Sequence, residues 1–187
     1  MPAAPAAGCL ALALVLGTGG AGRAIEPSPE GSTLRFTASQ MGTPLQGQFA
    51  RFSAQVNFDP LQPKAATVQA RVDLASVDAG APEANMLLRS AGFFDTAHFA
   101  EARFEASDFS DEGGGHYRAR GTFSLKGHTA SLPIAFTRNR DAHGFWFDGS
   151  FTVSRLAFSI GEGEWADTGT LDDPVLVRFH LHQDSVR

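Results

Sequence analysis

Apolar and polar residues alternate along most of the chain with the two-residue period of a half-buried β-strand. Leu34, Phe36 and Ala38 share one face, with Arg35, Thr37 and Ser39 on the other. Leu45, Gly47 and Phe49 continue at odd positions, whereas Phe52, Ala54, Val56 and Phe58 run at even ones. A strand changes face only through an extra residue, so this phase switch predicts a β-bulge near Ala50 and Arg51. Ala66, Val68, Ala70, Val72 and Leu74 follow, then Ala102, Phe104 and Ala106, then Tyr117, Ala119, Gly121, Phe123 and Leu125. Leu132, Ile134 and Phe136 make the next run, Phe145, Phe147, Gly149, Phe151 and Val153 another, and Val175, Val177, Phe179 and Leu181 the last. Turn-forming residues separate the runs: Asp59-Pro60, Gly113-Gly114-Gly115, Lys126-Gly127, and residues 141–144.

About eight one-sided strands joined mainly by short links predict an all-β fold, an eight-stranded antiparallel up-and-down barrel, because closure removes exposed edges. A two-sheet sandwich shares the same face assignments and differs in closure alone. The one long interruption, residues 75–100, holds a single short helix at Pro82–Arg89, with proline at its first position and Met86, Leu87 and Leu88 as its apolar content.

The first residues follow another pattern. Residues 8–16 (GCLALALVL) are an uncharged apolar run, well short of the roughly 18 to 20 residues that span a membrane. Gly22 and Ala24 then fit the −3 and −1 positions of a cleavage site, so residues 1–24 read as a secretory leader and residues 25–187 as one domain. No Lys or Arg precedes the run, and a retained N-terminal anchor is the competing expectation. Cys9 precedes the run instead of ending it, which argues against lipid attachment there. Cys9 is also the only cysteine, so a cleaved chain has no disulfide or thiol chemistry and relies on its core.

A net charge of −5 without a basic block argues against nucleic acid or an anionic membrane as the main partner. Sixteen Phe stand against one Tyr and two Trp. Phe brings a large apolar area with no polar atom to satisfy, so the interior is expected to be oily throughout.

Several stretches touch on other chemistry. Ala157-Phe158-Ser159-Ile160-Gly161 loosely matches a nucleophile elbow, but Gly161-Glu162-Gly163-Glu164 is a poor start for the helix that motif requires. The GxGxxA spacing from Gly161 to Ala166 lacks a βαβ setting, and its acids would repel a pyrophosphate. His180 and His182 share a face opposite Phe179 and Leu181; a metal site needs a third ligand from elsewhere, and two outward histidines are the expected arrangement. Glu162, Glu164, Asp167, Asp172 and Asp173 crowd one loop without EF-hand spacing and read as solvated. No convergent acid and base fall on an inward face, so no catalytic residue, metal or cofactor is expected.

Ordered segments across residues 30–183 resemble the YceI-like, polyisoprenoid-binding family: 36–49 (FTASQMGTPLQGQF), 56–60 (VNFDP), 72–77 (VDLASV), 88–95 (LRSAGFFD), 121–128 (GTFSLKGH) and 155–165 (RLAFSIGEGEW). The resemblance implies a periplasmic, lipocalin-like barrel with a tunnel for an isoprenoid, an isoprenoid quinone or a related lipid. Two departures bear on the tunnel mouth. His128-Thr129-Ala130-Ser131 stands where the family usually reads Val-Thr-Arg-Pro, and Ser159 stands where it usually has Gly.

Pattern and resemblance together give the expectation of a carrier for a long-chain apolar lipid, without enzymatic activity, nucleic-acid binding or stable membrane insertion after leader cleavage. A homodimer is compatible with it. The tunnel wall is expected to include Phe36, Phe49, Phe52, Val68, Val72, Phe104, Phe123, Ile134 and Phe151 from the strands. Met86, Leu87, Phe93 and Phe94 would come from the 75–100 insertion, and Phe158, Ile160 and Trp165 from the later loop. Small inward residues, Gly121 and Gly149 among them, are expected to leave room, so that a bulky side chain there blocks the tunnel. The rivals are an interaction or stress-related module with a filled core and, more remotely, a hydrolase or isomerase acting on a lipid.

Overall fold

A computed structural model describes residues 30–59 and 61–184. The expected leader and its cleavage site therefore lie outside the described residues. Ten strands form one curled antiparallel sheet: β1 (Thr33–Gln40), β2 (Thr43–Phe49), β3 (Phe52–Asn57), β4 (Thr67–Asp73), β5 (Val77–Asp78), β6 (Glu101–Gly113), β7 (His116–Leu125), β8 (His128–Arg140), β9 (Gly144–Ser154) and β10 (Pro174–Asp184). Helix α1 (Pro82–Arg89) interrupts them between β5 and β6. Among the described residues no helix is long and apolar enough to cross a membrane.

The hydrogen-bonded order is β3-β4-β6-β7-β8-β9-β10-β1-β2-β5, and its two ends are pieces of the same chain runs. Two residues, Ala50 and Arg51, separate β2 from β3, and one turn of 3-10 helix (Leu74–Ser76) separates β4 from β5. At one end β3 pairs with β4; at the other β2 pairs with β5. The β2–β3 run thus lies along the β4–β5 run at both ends of the order, and the wall closes as eight runs of chain, each antiparallel to its neighbours.

The change of phase falls at Ala50 and Arg51 as expected, but as a break between two strands and not a bulge: residues 50–51 face residues 73–76, so the extra residues lie on the β4–β5 run. The Ala50 amide donates to the Ser76 carbonyl at 3.1 Å, the Arg51 amide to Ser76 Oγ at 3.0 Å, and the Asp73 amide to the Arg51 carbonyl at 3.0 Å. The facing 3-10 turn so satisfies the backbone groups that the break removes from the ladder. Phe49, opposite Val77, and Phe52, opposite Val72, consequently both face inward. Helix α1 occupies the expected residues. Asn85 holds it to β5, accepting from the Ala79 amide at 2.7 Å and donating to Asp78 at 3.3 Å.

Inward side chains gather in two clusters along the barrel. One, at the β1–β2 turn end, holds Leu74, Val77, Phe93, Phe94, Leu125, Val153, Phe158, Ile160 and Leu171. The other, at the opposite end, holds Ala66, Phe109, Tyr117, Ile134, Phe136 and Phe147.

Candidate binding cavity

Between and within these clusters lies a continuous cavity of about 560 Å³. Its wall runs from Phe93, Trp165 and Leu171 at one end to Phe58, Phe109 and Leu181 at the other. Along β10, from Val175 to Leu181, that is roughly 20 Å at about 3.3 Å per residue. Phe36, Phe104, Phe123 and Phe151 point inward and line it, yet are only half-buried. Phe151 meets Phe104 face to face at 6.4 Å and Phe123 edge-on at 6.2 Å, and the ring surface left uncovered borders the void.

The expected wall residues Phe36, Phe49, Phe52, Val68, Val72, Leu87, Phe93, Phe94, Phe104, Phe123, Ile134, Phe151, Ile160 and Trp165 all border this space. Met86 and Phe158 do not. Helix α1 turns Ala84, Leu87 and Leu88, spaced three and four apart, toward the cavity, which puts Met86 on the outer side at 65% exposure. Phe158 is fully buried behind the wall, edge-on to Phe123 at 5.2 Å, where it supports a lining ring without reaching the void.

The wall also includes Phe58, Phe109, Phe136, Phe147, Phe179 and Leu181, none of them among the candidate site residues above. Their signal was the same alternation, followed to the ends of the strands. Phe58 closes that end: its ring stands 4.7 Å from Tyr117 and about 6 Å from Phe109, Phe136 and Phe147, in each case edge-on. The guanidinium of Arg138 lies 3.5 Å over the Phe145 ring and 5.8 Å from that of Phe58. Burial pushes Arg138 below the ordinary arginine range, and its Nε has no hydrogen-bond partner among the described residues.

The other end opens to solvent. Gln40, Pro44 and Leu45 from the first hairpin, and Ala79, Ala84 and Leu87 around α1, border the cavity there. Leu45 and Leu87 are 42% and 39% exposed, so the wall passes into the surface between hairpin and helix.

Arg155 is a buried charge on this wall. Its Nε donates to the Asp172 carbonyl at 3.0 Å, Nη1 to Ile160 and Gly161 at 2.8 and 3.2 Å, and Nη2 to Leu171 at 2.6 Å. Burial lowers its pKa, while the nearby Asp173 and Asp172 oppose that shift. The fork gathers the carbonyls of the 160–172 loop and holds that loop across the barrel end. Trp165, on the same loop, is edge-on to Phe93 at 5.9 Å.

The inward glycines play a different part from the one expected. A β-carbon on Gly121 would stand 2.6 Å from Phe104 Cε2 and 2.6 Å from the Glu105 carbonyl oxygen. On Gly149 it would meet the Ala135 carbonyl oxygen at 2.6 Å and Phe136 Cβ at 2.9 Å. Neither glycine borders the void. Each lets a phenylalanine ring from the next strand lie flat on the sheet.

The polar stretches are engaged elsewhere. Ser159 ends a 3-10 turn at φ 53° and a loop follows it, so the strand–turn–helix of a nucleophile elbow is absent there, as is a βαβ unit around Gly161 to Ala166. His180 and His182 lie on the outer face: His180 stacks on Trp146 at 4.0 Å with Nδ1 against Asp148, and His182 lies 3.5 Å from Asp141. Asp167 accepts from the Gly169 amide of its own loop, and Asp173 accepts from the amide of Leu156.

The model of the YceI-like domain matches residues 26–183. The chain belongs to the YceI-like family. A UPF0312 protein of Shewanella sp. (strain ANA-3) is 32% identical over 136 residues, covering 69% of this chain and 71% of the relative. Among solved structures, BcnA of Burkholderia cenocepacia superposes with a TM-score of 0.77 at 33% identity, over 80% of this chain and 94% of that one. A polyisoprenoid-binding domain of Saccharophagus degradans, implicated in plant cell wall breakdown, gives a TM-score of 0.64 at 17% identity over 80% and 91%, a likeness of fold. In this YceI-like chain the two departures from the usual pattern meet each other: Ser159 Oγ lies 3.4 Å from His128 Nε2 beside the open end.

Proposed function

We propose that this YceI-like domain is an exported, periplasmic binding protein that carries a long apolar lipid, an isoprenoid or isoprenoid quinone, and performs no chemistry on it. The continuous apolar void carries this reading. A dry cavity of about 150 Å³ admits benzene, so 560 Å³ scales to roughly 20 carbons, about four isoprene units. A longer chain would leave its remainder, and its head group, at the mouth between β2 and α1.

Burial at roughly 25 cal/mol per Å² supplies a few kcal/mol gross for each five-carbon unit, and ordering a flexible chain offsets part of it. Hydrocarbon presents nothing for a hydrogen bond to read, so selectivity is by length and shape, and coarse. The S. degradans neighbour described as polyisoprenoid-binding supports the ligand class; the leader-like residues 1–24 support export. The charged groups on the wall are the arginines Arg71, Arg103 and Arg155; Arg155 is spent on four backbone carbonyls, and among the described residues no carboxylate or histidine joins them there to make an acid–base pair.

Native mass spectrometry of protein purified from its own host tests the proposal. The expected result is a bound chain lipid released on denaturation. An unliganded mass, with no uptake of an added C20 prenyl alcohol, overturns it.

A further inference from the structure

We propose that an apolar rim at the cavity mouth, formed by Met41, Leu45, Met86 and Leu87, docks on the surface of an electrically neutral lipid bilayer, where cargo is exchanged. The inference rests on the carrier reading and adds the partner from which the cargo comes.

The first observation is continuity. Leu45 and Leu87 belong both to the cavity wall and to the surface, and each lies close in sequence to a more exposed methionine: Met41 (78%) at the hairpin tip and Met86 (65%) on α1. Apolar side chains therefore run from the void to solvent, with Gln40 and Gln46 beside them on the same wall.

The second is the backbone at Met41. Gln40 pairs with Thr43, and the two residues between them, Met41 and Gly42, have φ of 49° and 79°. That is a two-residue hairpin turn of the kind that favours Asn-Gly, since only Asn, Asp and Gly enter the left-handed region readily. Lys126 makes the same departure at the β7–β8 turn, with φ 48°, but there the conformation has an evident use: its Nζ donates to the carbonyls of Ala91 and Ser159 and meets Glu162. At Met41 the amide ties the hairpin tip to the Thr170 carbonyl at 3.0 Å, while the side chain, which makes no such tie, is delivered to water. A strained backbone that presents an exposed apolar group marks a contact surface.

The nature of the partner follows from size and charge. Four side chains on two short segments fall well short of the roughly 800 Å² a side of a stable protein interface, but they suit shallow insertion among lipid chains. Helix α1 carries Glu83 in its first turn and Arg89 in its last, the latter turned onto the Val77 carbonyl at 3.3 Å, so the helix itself is balanced. Glu162, Glu164, Asp167, Asp172 and Asp173 crowd the adjoining loop, whose Asp172 amide donates to the carbonyl of Ser39 near the hairpin tip. This acidic flank repels an anionic surface and leaves a neutral one as the fit.

The test uses the whole chain with phosphatidylcholine vesicles in a flotation assay, and separately measures uptake of a fluorescent C20 prenyl alcohol from detergent micelles. The variants are Met41→Asn and Met86→Asn, singly and together; neither residue borders the cavity. Wild type is expected to float with the vesicles, and less so when phosphatidylglycerol is added. The double variant should lose flotation at least fivefold and extract the alcohol from vesicles more slowly, while taking it from micelles as wild type does. Met41→Asn should also melt no lower than wild type, because it installs the favoured turn; a merely structural methionine would not separate stability from docking in this way. Unchanged flotation of the double variant, or no flotation of wild type alongside normal micellar uptake, overturns the docking and leaves the carrier reading in place. Absence of uptake from micelles overturns both.

Discussion

The ring of Phe104, on β6, lies flat across Gly121 on β7, so close that a β-carbon on the glycine would stand 2.6 Å from Cε2 of the ring. The same β-carbon would meet the Glu105 carbonyl oxygen at 2.6 Å, and backbone cannot swing aside as a side chain can. Gly121→Ala is therefore expected to destabilise the fold by about 1–3 kcal/mol, the range for overpacking a filled site. Urea denaturation checks it; a loss within 0.5 kcal/mol would show that the strands yield freely.

Filling the void is a separate matter from crowding a ring. Ala70, on β4 between Phe104 and Ala54 of the neighbouring strands, borders the cavity. Ala70→Phe places its ring in empty space, so stability should change by less than about 1 kcal/mol while the bound chain is excluded. Circular dichroism melts and native mass spectrometry read the two effects independently. A folded variant that retains lipid as wild type does would place the ligand elsewhere.

Much of this was legible in the sequence because a period of two is a geometric fact about strands. The change of phase between Phe49 and Phe52 located the break between β2 and β3, and Pro82 located the start of α1. Closure was a weaker inference. It depends on β2–β3 lying along β4–β5 at both ends of the sheet order, a long-range pairing that no local pattern encodes. Met86 was misplaced because an apolar residue on a short helix was taken to face inward, whereas Leu87 and Leu88 already fill the facing side. The glycines misled for a related reason: alternation tells which way a position points, but not that Phe104 occupies the space above it. Arg155 likewise sits in the sequence as an ordinary polar residue after a strand, and its carbonyl partners come together only when the 160–172 loop folds over it.

Removing the Arg155 fork should be severe. Its guanidinium serves four carbonyls, and it is 3% exposed. Arg155→Met leaves those carbonyls without donors, and a loss of about 3–5 kcal/mol is expected, as for other broken buried polar networks. Arg155→Lys keeps the charge but cannot reproduce the planar fork, so it should recover only part of the loss. Thermal melts of the three proteins give the order; a lysine variant as stable as wild type would mean that charge alone holds the loop.

The last prediction concerns acid. Asp141 accepts from the amides of His143 and Gly144 at 2.8 and 2.7 Å and from Trp146 Nε1 at 2.7 Å. These bonds, the two amides first, lower its pKa from the usual 3.8 to about 2, with a smaller contribution from His182. A carboxylate whose folded pKa lies below its unfolded value contributes stability that is complete above the unfolded pKa and is lost as pH falls through the folded one. The melting temperature of wild type should therefore fall between about pH 4 and pH 2 more steeply than that of Asp141→Asn, which has no such proton to take up. At neutral pH the variant should melt lower, because the asparagine amide cannot replace a carboxylate that accepts from three donors. Parallel pH profiles for the two proteins across that window would show that the β8–β9 turn is not held by the ionised form of Asp141.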